Sequence, residues 1–291
     1  MFTLTLLAPP DRADLPASLV EALRQRWNGG TARWLEREIA AEFPLDHQPA
    51  DFWDRWAMLQ ELGFDMALQP SEGRRKLVLL ADMDSTMIQQ ECIDELADFA
   101  GVGERVAAIT ARAMNGELNF HEALVERVGL LAGLQESVIE QVLDSRITLM
   151  PGGRTLIATM KAHGAYTALV SGGFTVFTEA VAAALGFHEH RANTLLAEDG
   201  VLTGHVSLPV LGREAKVDAL QQITAQRGLS PAEAVAVGDG ANDLGMLQLA
   251  GTGVALHAKP SVAAQVNVRV NHGDLTALLY LQGYSQPEFT L

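Results

Sequence analysis

Three short apolar runs, each followed by a polar or glycine-rich turn, constrain the fold of this chain more than any other feature. They occupy residues 76–81, 166–170 and 234–237. Strands that are apolar throughout, without polar alternation, are typical of a parallel sheet covered on both faces. We therefore predict an α/β fold with a Rossmann-like parallel sheet. Ligands of such sheets bind at the carboxyl ends of the strands, so we expect catalytic and binding residues in the turns after these runs.

A different pattern precedes the first apolar run. Its predicted order is strand, helix, strand, strand, helix, strand, over residues 2–7, 15–26, two runs within 31–43, 51–62 and 64–68. That order is typical of an α+β ferredoxin-like unit. The polar segment 69–76 is rich in residues that interrupt regular structure and is interpreted as a linker or exposed loop. We place one domain at 1–72 and a second at 73–291.

Two insertions interrupt the α/β pattern. Residues from about 90 to 148 show helical spacing without a strand and predict a small helical cap. Residues 192–208 contain two strand-like runs around Glu198-Asp199-Gly200. An Asp-Gly pair between such runs predicts a β-hairpin.

The charge balance excludes several classes of partner. The chain carries 36 acidic and 21 basic side chains, a formal net charge of -15. Such a surface repels nucleic acid and anionic lipid, so we expect neither nucleic acid nor a membrane as partner. The single cysteine, Cys92, allows no intrachain disulfide. We find neither a secretory signal pattern nor a membrane-spanning apolar run, and we expect a cytoplasmic protein.

The segment Asp82-Met83-Asp84-Ser85-Thr86 follows the first apolar run. Carboxylates at positions i and i+2 on a turn can face one pocket. Phosphoryl transfer needs a nucleophile, a proton donor for the leaving oxygen and cations, and an aspartate pair with a metal supplies all three. Asp, Ser and Thr also cap helices, so the segment alone leaves both interpretations open.

Three other segments carry related chemistry. Asp239 and Asp243 follow the third apolar run and offer the hard oxygen ligands that Mg²⁺ selects, although Asp-Gly and Asn-Asp are also ordinary turn residues. The Ser-Gly-Gly at 171–173 could bind an anion at a helix start or simply cap that helix. Lys216 lies near a predicted helix start, where a cation is unfavourable, which indicates a role other than helix stability.

Taken together and in this order, the four segments closely resemble the haloacid dehalogenase superfamily of phosphotransferases, and within it the phosphoserine phosphatase family. The resemblance extends over about residues 76–281. Further residues that match the family are Glu91, 93–97, 113–116, 118–120, Arg127, Val128, 170–174 and 237–243.

The resemblance implies a role for each matching residue of the catalytic segments. Asp82 is the nucleophile that becomes an aspartyl-phosphate, and Asp84 is the general acid and base. The implied Mg²⁺ ligands are the Asp82 carboxylate, the Asp84 backbone carbonyl and Asp239, with Asp243 in support. The implied phosphate-binding residues are Ser171, Gly172, Lys216 and Asn242.

The resemblance also implies a substrate. Glu91 meets an ammonium group, Arg127 meets a carboxylate, and Met114 and Phe120 line the closed pocket. The implied reaction is the Mg²⁺-dependent hydrolysis of O-phospho-L-serine, the last step of serine biosynthesis. Two alternatives stay open: phosphotransfer to another alcohol such as homoserine, and hydrolysis of another small phospho-amino acid.

The amino-terminal domain resembles the ACT-type regulatory fold but carries no ligand motif. It could serve dimerisation, amino-acid sensing or stability alone. We expect an ACT-like domain that supports a homodimer. An amino-acid sensor without enzymatic activity is the third alternative for the whole chain, and the full set of acidic residues argues against it.

Overall fold

The computed structural model describes residues 1–114 and 117–291, apart from the side chain of Met114. The amino-terminal unit is a four-stranded antiparallel sheet with two helices. Its elements are β1 (Phe2–Leu7), α1 (Ala17–Arg26), β2 (Arg33–Glu36), β3 (Ala40–Leu45), α2 (Phe52–Glu61) and β4 (Asp65–Pro70). The strand order is β2-β3-β1-β4, so the predicted ferredoxin-like arrangement is confirmed.

Both faces of this sheet are buried. Leu4 and Leu6 of β1 pack into one apolar cluster with Val20 of α1. Because side chains alternate along a strand, Leu7 points to the opposite face, where it joins the cluster of the second domain that contains Leu278. The amino-terminal sheet therefore lies between its own helices and the rest of the chain.

The second unit is built on a six-stranded sheet of order β12-β11-β10-β5-β6-β7 in which every paired strand is parallel. This confirms the predicted α/β class with a Rossmann-like parallel sheet. Its elements up to the hairpin are β5 (Val78–Ala81), α3 (Cys92–Phe99), α4 (Gly103–Met114), α5 (Phe120–Gly129), α6 (Ser137–Ser145), α7 (Gly153–Ala162), β6 (Tyr166–Phe174), α8 (Thr175–Leu185) and β7 (Glu189–Asn193). The later elements are β8 (Leu195–Glu198), β9 (Val201–Val206), α9 (Arg213–Gln226), β10 (Ala234–Gly238), α10 (Leu244–Leu249), β11 (Thr252–Leu256), α11 (Pro260–Ala263), β12 (Val268–Val270) and α12 (Ala277–Leu281).

The helices α3 to α6 form the predicted cap. Two antiparallel segments join it to the sheet domain, with a bridge between Ile88 and Leu149. The Gln89 N–H donates to the Thr148 carbonyl at 3.0 Å, and the Met150 N–H donates to the Met87 carbonyl at 2.9 Å. The cap therefore begins and ends at one short, paired hinge.

The predicted hairpin is formed by β8 and β9, and its turn residues Asp199 and Gly200 both have positive φ, as a two-residue hairpin turn requires. Its second strand also bonds to the cap loop between α5 and α6. The Gly133 N–H donates to the Leu202 carbonyl at 2.9 Å, and the Leu202 N–H donates to the Leu134 carbonyl at 2.9 Å. The hairpin is thus a second attachment of the cap, away from the hinge.

The segment 69–76, which the sequence analysis interprets as a linker or exposed loop, forms hydrogen bonds with both units. Arg74 donates to the Glu42 carboxylate at 2.8 Å and to the Leu281 carbonyl at 2.9 Å, and its side chain is only 10% exposed. Asp65, buried at the start of β4, accepts the backbone N–H groups of 271–273 at 2.8–3.0 Å. The boundary at 72/73 stays a prediction, but the two units are firmly docked.

None of the helices in the described part of the chain combines the length and the apolar character needed to cross a bilayer.

Candidate active site

The three strand ends singled out by the sequence meet at one edge of the parallel sheet. Strand β5 pairs with β10 on one side and with β6 on the other, so the turns after all three lie side by side. Asp82 follows β5 directly and is only 4% exposed. Ser85 adopts a φ of 54°, a conformation that non-glycine residues rarely take and that recurs at functional sites. The sharp turn brings Asp82 and Asp84 to one pocket.

Lys216 lies between two of the carboxylates. Its Nζ is 2.5 Å from Asp82 Oδ1 and 2.6 Å from Asp243 Oδ1, and all three side chains are buried. Burial acts to lower the pKa of Lys216, but the charges of Asp243 and Asp82 outweigh it and raise that pKa above its usual range. Lys216 is therefore a cation beside Asp82 and Asp243, and these two contacts explain a lysine in the first turns of α9 against the helix dipole.

Asp82, Asp239 and Asp243 form an acidic cluster in which one carboxylate oxygen from each lies within 4.8 Å of the others. Burial, together with the charge of Asp243, raises the pKa of Asp239 to about 6. The same two causes raise the pKa of Asp82 well above its usual value. One lysine does not neutralise three buried carboxylates, and a hard divalent cation bound by oxygen ligands fits this donor set. The arrangement is that of a divalent metal site.

The glycines of the segment 238–243 allow these carboxylates to lie close together. A Cβ added at Gly238 would lie 2.4 Å from the Asp243 carboxylate carbon, so only glycine allows that side chain to fold back on the strand end. The Gly240 N–H donates to Asp243 Oδ2 at 2.9 Å. With Lys216 on the other oxygen, the Asp243 carboxylate is held in one orientation.

Asp84 is held by two donors on its two oxygens. The Cys92 N–H donates to Oδ1 at 3.0 Å, and the Ser171 hydroxyl donates to Oδ2 at 3.4 Å. Burial raises the pKa of Asp84, while the contacts with Cys92 act in the opposite direction. A carboxyl group whose pKa is raised by burial holds a proton more readily, and such a group is suited to act as a general acid.

The Ser171-Gly172-Gly173 segment was expected in the turn between a strand and a helix, but it lies within β6. Pairing with β7 is interrupted after Val170 and resumes at Phe174, because three residues of β6 stand opposite one residue of β7. The Gly173 N–H donates to the Ser171 hydroxyl at 2.9 Å. The bulge displaces these residues from the ladder and turns the segment towards Asp84.

A cavity of about 510 Å³ lies between this edge of the sheet and the cap. Of the predicted site residues, it is lined by Asp82, Asp84, Glu91, Phe120, Arg127, Ser171, Gly172, Asp239 and Asn242. Lys216 and Asp243 are not among the lining residues; they lie behind Asp82. The Met114 side chain lies outside the described residues.

The cap contributes opposite charges to this cavity. Glu91 accepts a hydrogen bond from the Ser85 hydroxyl at 2.7 Å, and burial together with the charge of Asp84 raises its pKa to about 7. Arg127, half-buried on α5, donates its Nε to the Ala123 carbonyl at 3.2 Å. The site can therefore receive a ligand with both a positive and a negative group.

Two further cations at the cavity, Arg213 and Lys259, were not predicted. Arg213 begins α9, three residues before Lys216, and Lys259 follows β11 at the same edge of the sheet. Lys259 could have been found from the general rule that ligands bind at the ends of parallel strands. No local pattern distinguishes Arg213 from a solvated arginine.

A protein-family model for haloacid dehalogenase-like hydrolases matches residues 79–248. A phosphoserine phosphatase from Haemophilus influenzae is 48% identical over 204 residues, which cover 70% of this chain and 65% of that protein. The chain spans between 52% and 65% of the length of this relative and of three other curated phosphoserine phosphatases.

Two crystal structures match almost the whole chain, including the amino-terminal unit. A HAD-family hydrolase from Salmonella enterica serovar Typhi superposes with a TM-score of 0.86 at 30% identity and covers 96% of this chain and 97% of its own. A probable phosphoserine phosphatase from Vibrio cholerae superposes with a TM-score of 0.80 at 32% identity and covers 99% and 88% respectively. The arrangement of both units is therefore shared with known proteins.

Proposed function

The chain belongs to the haloacid dehalogenase-like hydrolase family, and we propose that within it this protein hydrolyses O-phospho-L-serine to L-serine and phosphate. One observation carries the proposal: Glu91 and Arg127 line the same cavity as Asp82. Phosphoserine has an ammonium group, a carboxylate and a phosphoryl group on one short skeleton, and the cavity offers a partner for each. The names of the curated relatives point to the same substrate.

In this proposal the cap orients the amino-acid end of the substrate. The ionised Glu91 pairs with the ammonium group, and the Arg127 guanidinium pairs with the carboxylate, for which its planar fork is suited. Phe120 closes one wall of the cavity, and Met114 is proposed to line it as well. Ser171, Gly172, Lys216 and Asn242 are proposed to hold or face the phosphoryl group.

The chemistry proceeds in two displacements. A carboxylate oxygen of Asp82 attacks phosphorus, the bond between phosphorus and the serine oxygen breaks, and Asp84 gives its proton to that oxygen. Water then attacks the phosphorus of the aspartyl-phosphate while Asp84 takes its proton, and the Asp82 carboxylate and phosphate are restored. Lys216 stays protonated and compensates the negative charge in both steps.

We propose Mg²⁺ as the divalent metal, held by Asp82, Asp239 and the backbone carbonyl of Asp84, with Asp243 in support. When bound, it would neutralise phosphoryl oxygens and the buried carboxylates. The proposed substrate is a small phosphomonoester. We expect the protein to act in the cytoplasm.

A homodimer through the amino-terminal domain stays a proposal, as does its ACT-like regulatory character. Since both faces of that sheet are buried within the chain, the contact would have to use the β2 edge or the outer surfaces of α1 and α2. Sedimentation equilibrium of the full chain measures the mass directly, and a monomeric mass at all concentrations would contradict the dimer.

The decisive experiment is phosphate release from a panel of phosphomonoesters, with Mg²⁺ and with EDTA. We expect a large Mg²⁺-dependent preference for O-phospho-L-serine over phosphothreonine and sugar phosphates. Equal rates on sugar phosphates would leave a phosphatase but contradict the roles of Glu91 and Arg127. Formation of O-phosphohomoserine on addition of homoserine would instead favour phosphotransfer.

A further inference from the structure

Asn193, the last residue of β7, lies beside the proposed phosphate-binding segment and has no role in the chemistry described above. Its side chain is 2% exposed. It stands opposite Phe174, where the ladder between β6 and β7 resumes after the bulge at 171–173. A buried asparagine is unusual unless its amide is fully paired, so its partners indicate its purpose.

The Asn193 side chain joins two backbone segments that are distant in sequence. Its Nδ2 donates to the Gly172 carbonyl at 2.8 Å and to the Leu211 carbonyl at 3.1 Å. Its Oδ1 accepts the Leu211 N–H at 2.7 Å. Only an amide oxygen can accept from that N–H, so this contact fixes the orientation of the group and directs both amide hydrogens to the two carbonyls.

The two segments bring the proposed phosphate ligands from opposite sides. Ser171 and Gly172 belong to the first, and the second leads directly into α9, which carries Lys216. The same two segments support Phe120 of the cap, because a Cβ added at Gly172 or at Gly212 would lie 2.9 Å from its ring. A change in the spacing of these segments would therefore move both phosphate-binding groups, whereas Glu91 and Arg127 are held by their own contacts with Ser85 and Ala123.

We propose that Asn193 is a positioning residue that clamps the 171–173 segment to the start of α9 and so sets the spacing of the phosphate-binding groups. The inference deepens the proposed phosphatase function and rests on it. The residue acts through Gly172 and Leu211 and does not touch the substrate. It also lies at the base of the β8–β9 hairpin, where the Ser207 N–H donates to the Thr194 carbonyl at 2.9 Å.

The amide has no simple substitute at this position. Two donors and one acceptor on one short side chain are needed at this position. A carbonyl left without its amide donor would favour a shift of its segment towards water. An aspartate of the same size would accept from Leu211 but would place an oxygen against the carbonyls of Gly172 and Leu211. We therefore expect Asn193→Asp to be more damaging than Asn193→Ala.

The test measures phosphate and serine binding separately in the full chain with Mg²⁺. For Asn193→Ala we expect kcat/KM for phosphoserine to fall about 10- to 100-fold, as is usual when a group that orients a contact residue is removed. The dissociation constant of inorganic phosphate, measured by calorimetry, should rise, whereas inhibition by L-serine should stay close to that of the unmodified protein. Asn271→Ala is the matched control, since it removes an asparagine amide that bonds Gln60 at the domain interface, and it should change neither constant.

Each of four outcomes bears on the clamp. Unchanged phosphate affinity and kcat/KM in Asn193→Ala would overturn the clamp, and so would an equal loss of phosphate and serine affinity, which a general structural defect produces. If Asn193→Ala does not fold, Asn193→Ser keeps a hydrogen-bonding group and is judged by the same two constants. If the unmodified protein binds phosphate but does not hydrolyse phosphoserine, the proposed substrate fails while the clamp is still judged on phosphate affinity.

Discussion

At the scale of single residues, the site concentrates buried carboxylates at one edge of the sheet. Asp82 and Asp243 share one lysine, and Asp239 lies close to both. Burial and the charge of Asp243 raise the pKa of Asp82 and of Asp239, so both bind a proton more readily than an exposed aspartate does. We therefore expect the reactivity of Asp82, the proposed nucleophile, to depend on a bound metal cation.

The first prediction concerns the nucleophile. Asp82→Asn should lower kcat by several orders of magnitude, about 10⁴- to 10⁶-fold, on the scale of other nucleophile removals. The variant should remain folded, because Lys216 keeps Asp243 as a partner. Asp218→Asn, an exposed change on the same helix α9, is the control for the substitution itself. Normal turnover by Asp82→Asn would contradict the role of Asp82.

The second prediction concerns Glu91, whose pKa is raised to about 7 by burial and by the charge of Asp84. As the pH falls through that value Glu91 is protonated and loses its attraction for an ammonium group. We expect KM for phosphoserine to rise as the pH falls below about 7. In Glu91→Gln, KM should be high at every pH and this dependence should vanish. A pH profile of KM that is the same in both proteins would contradict the ammonium contact.

Sequence reasoning located the acidic residues that follow the apolar strands, but it missed Lys259, Arg213 and Asn193. Asp82 and Asp239 could be predicted because their motifs are local and stand after apolar strands. Asn193 could not, since its importance arises from carbonyl groups 18 and 21 residues away along the chain. The interpretation of 171–173 as a turn was wrong because pairing with β7, a long-range contact, returns the chain to the strand at Phe174.

At the scale of elements, the sequence analysis did not predict β7, β11 and β12, and β7 and β12 have the weakest patterns of the three. Strand β7 reads Glu-His-Arg-Ala-Asn and lies at an edge, where polar side chains are tolerated, and β12 has only three residues. Both owe their conformation to a neighbouring strand more than to their own composition. The central strands β5 and β10 could be predicted since they are buried on both faces.

Attachment of the cap at two places suggests a third prediction. Gly204 in β9 has a φ of 77°, and a Cβ there would lie 2.8 Å from the Ala132 Cβ of the cap. Gly204→Ala should therefore separate the hairpin from the cap and destabilise the protein by about 1–3 kcal/mol, the range for overpacking. Urea denaturation gives the free energy of unfolding. Gly200→Ala is the control, as it also has positive φ but nothing within 4 Å of the added Cβ.

Docking of the two units supports a fourth prediction. Asp65→Ala leaves the three N–H groups of 271–273 without their acceptor. We expect a loss of about 2–4 kcal/mol of stability, since a buried donor left unpaired costs about 1–3 kcal/mol. All four tryptophans lie within residues 27–56, so their fluorescence follows unfolding of the amino-terminal unit. Asp14→Ala, which removes only an exposed ion pair with Arg12, should cost much less.

At the scale of the whole molecule, the buried carboxylates make stability depend on pH and metal together. Asp239 and Glu91 have folded-state pKa values of about 6 and about 7, above those of the unfolded chain. The folded state then binds more protons than the unfolded state, so their contribution to stability falls as the pH rises from about 4 to 7. A bound divalent cation supplies the positive charge that the protons no longer provide.

We therefore predict that the melting temperature rises more on addition of Mg²⁺ at about pH 8 than at about pH 5, where protons compete for the carboxylates. Mg²⁺ at 100 times its dissociation constant should raise the free energy of unfolding by about 2.7 kcal/mol. Scanning calorimetry with Mg²⁺ and with EDTA gives the change in melting temperature at each pH. Asp239→Asn should reduce the response to Mg²⁺. An Mg²⁺ effect that is larger at the lower pH would contradict the assignment of the cluster.

The sandwiched amino-terminal sheet also sets an order for folding during synthesis. Its last strand, β4, is complete at Pro70, whereas α12, which covers its second face, begins at Ala277. At 5–20 residues per second a ribosome needs roughly 10–40 s to cross that interval. If the amino-terminal unit folds as it is synthesised, one face of its sheet stays uncovered for that time, and this face carries Thr3, Thr5 and Gln69 beside Leu7. These polar side chains would make the uncovered face less apolar than one formed by leucine and valine alone.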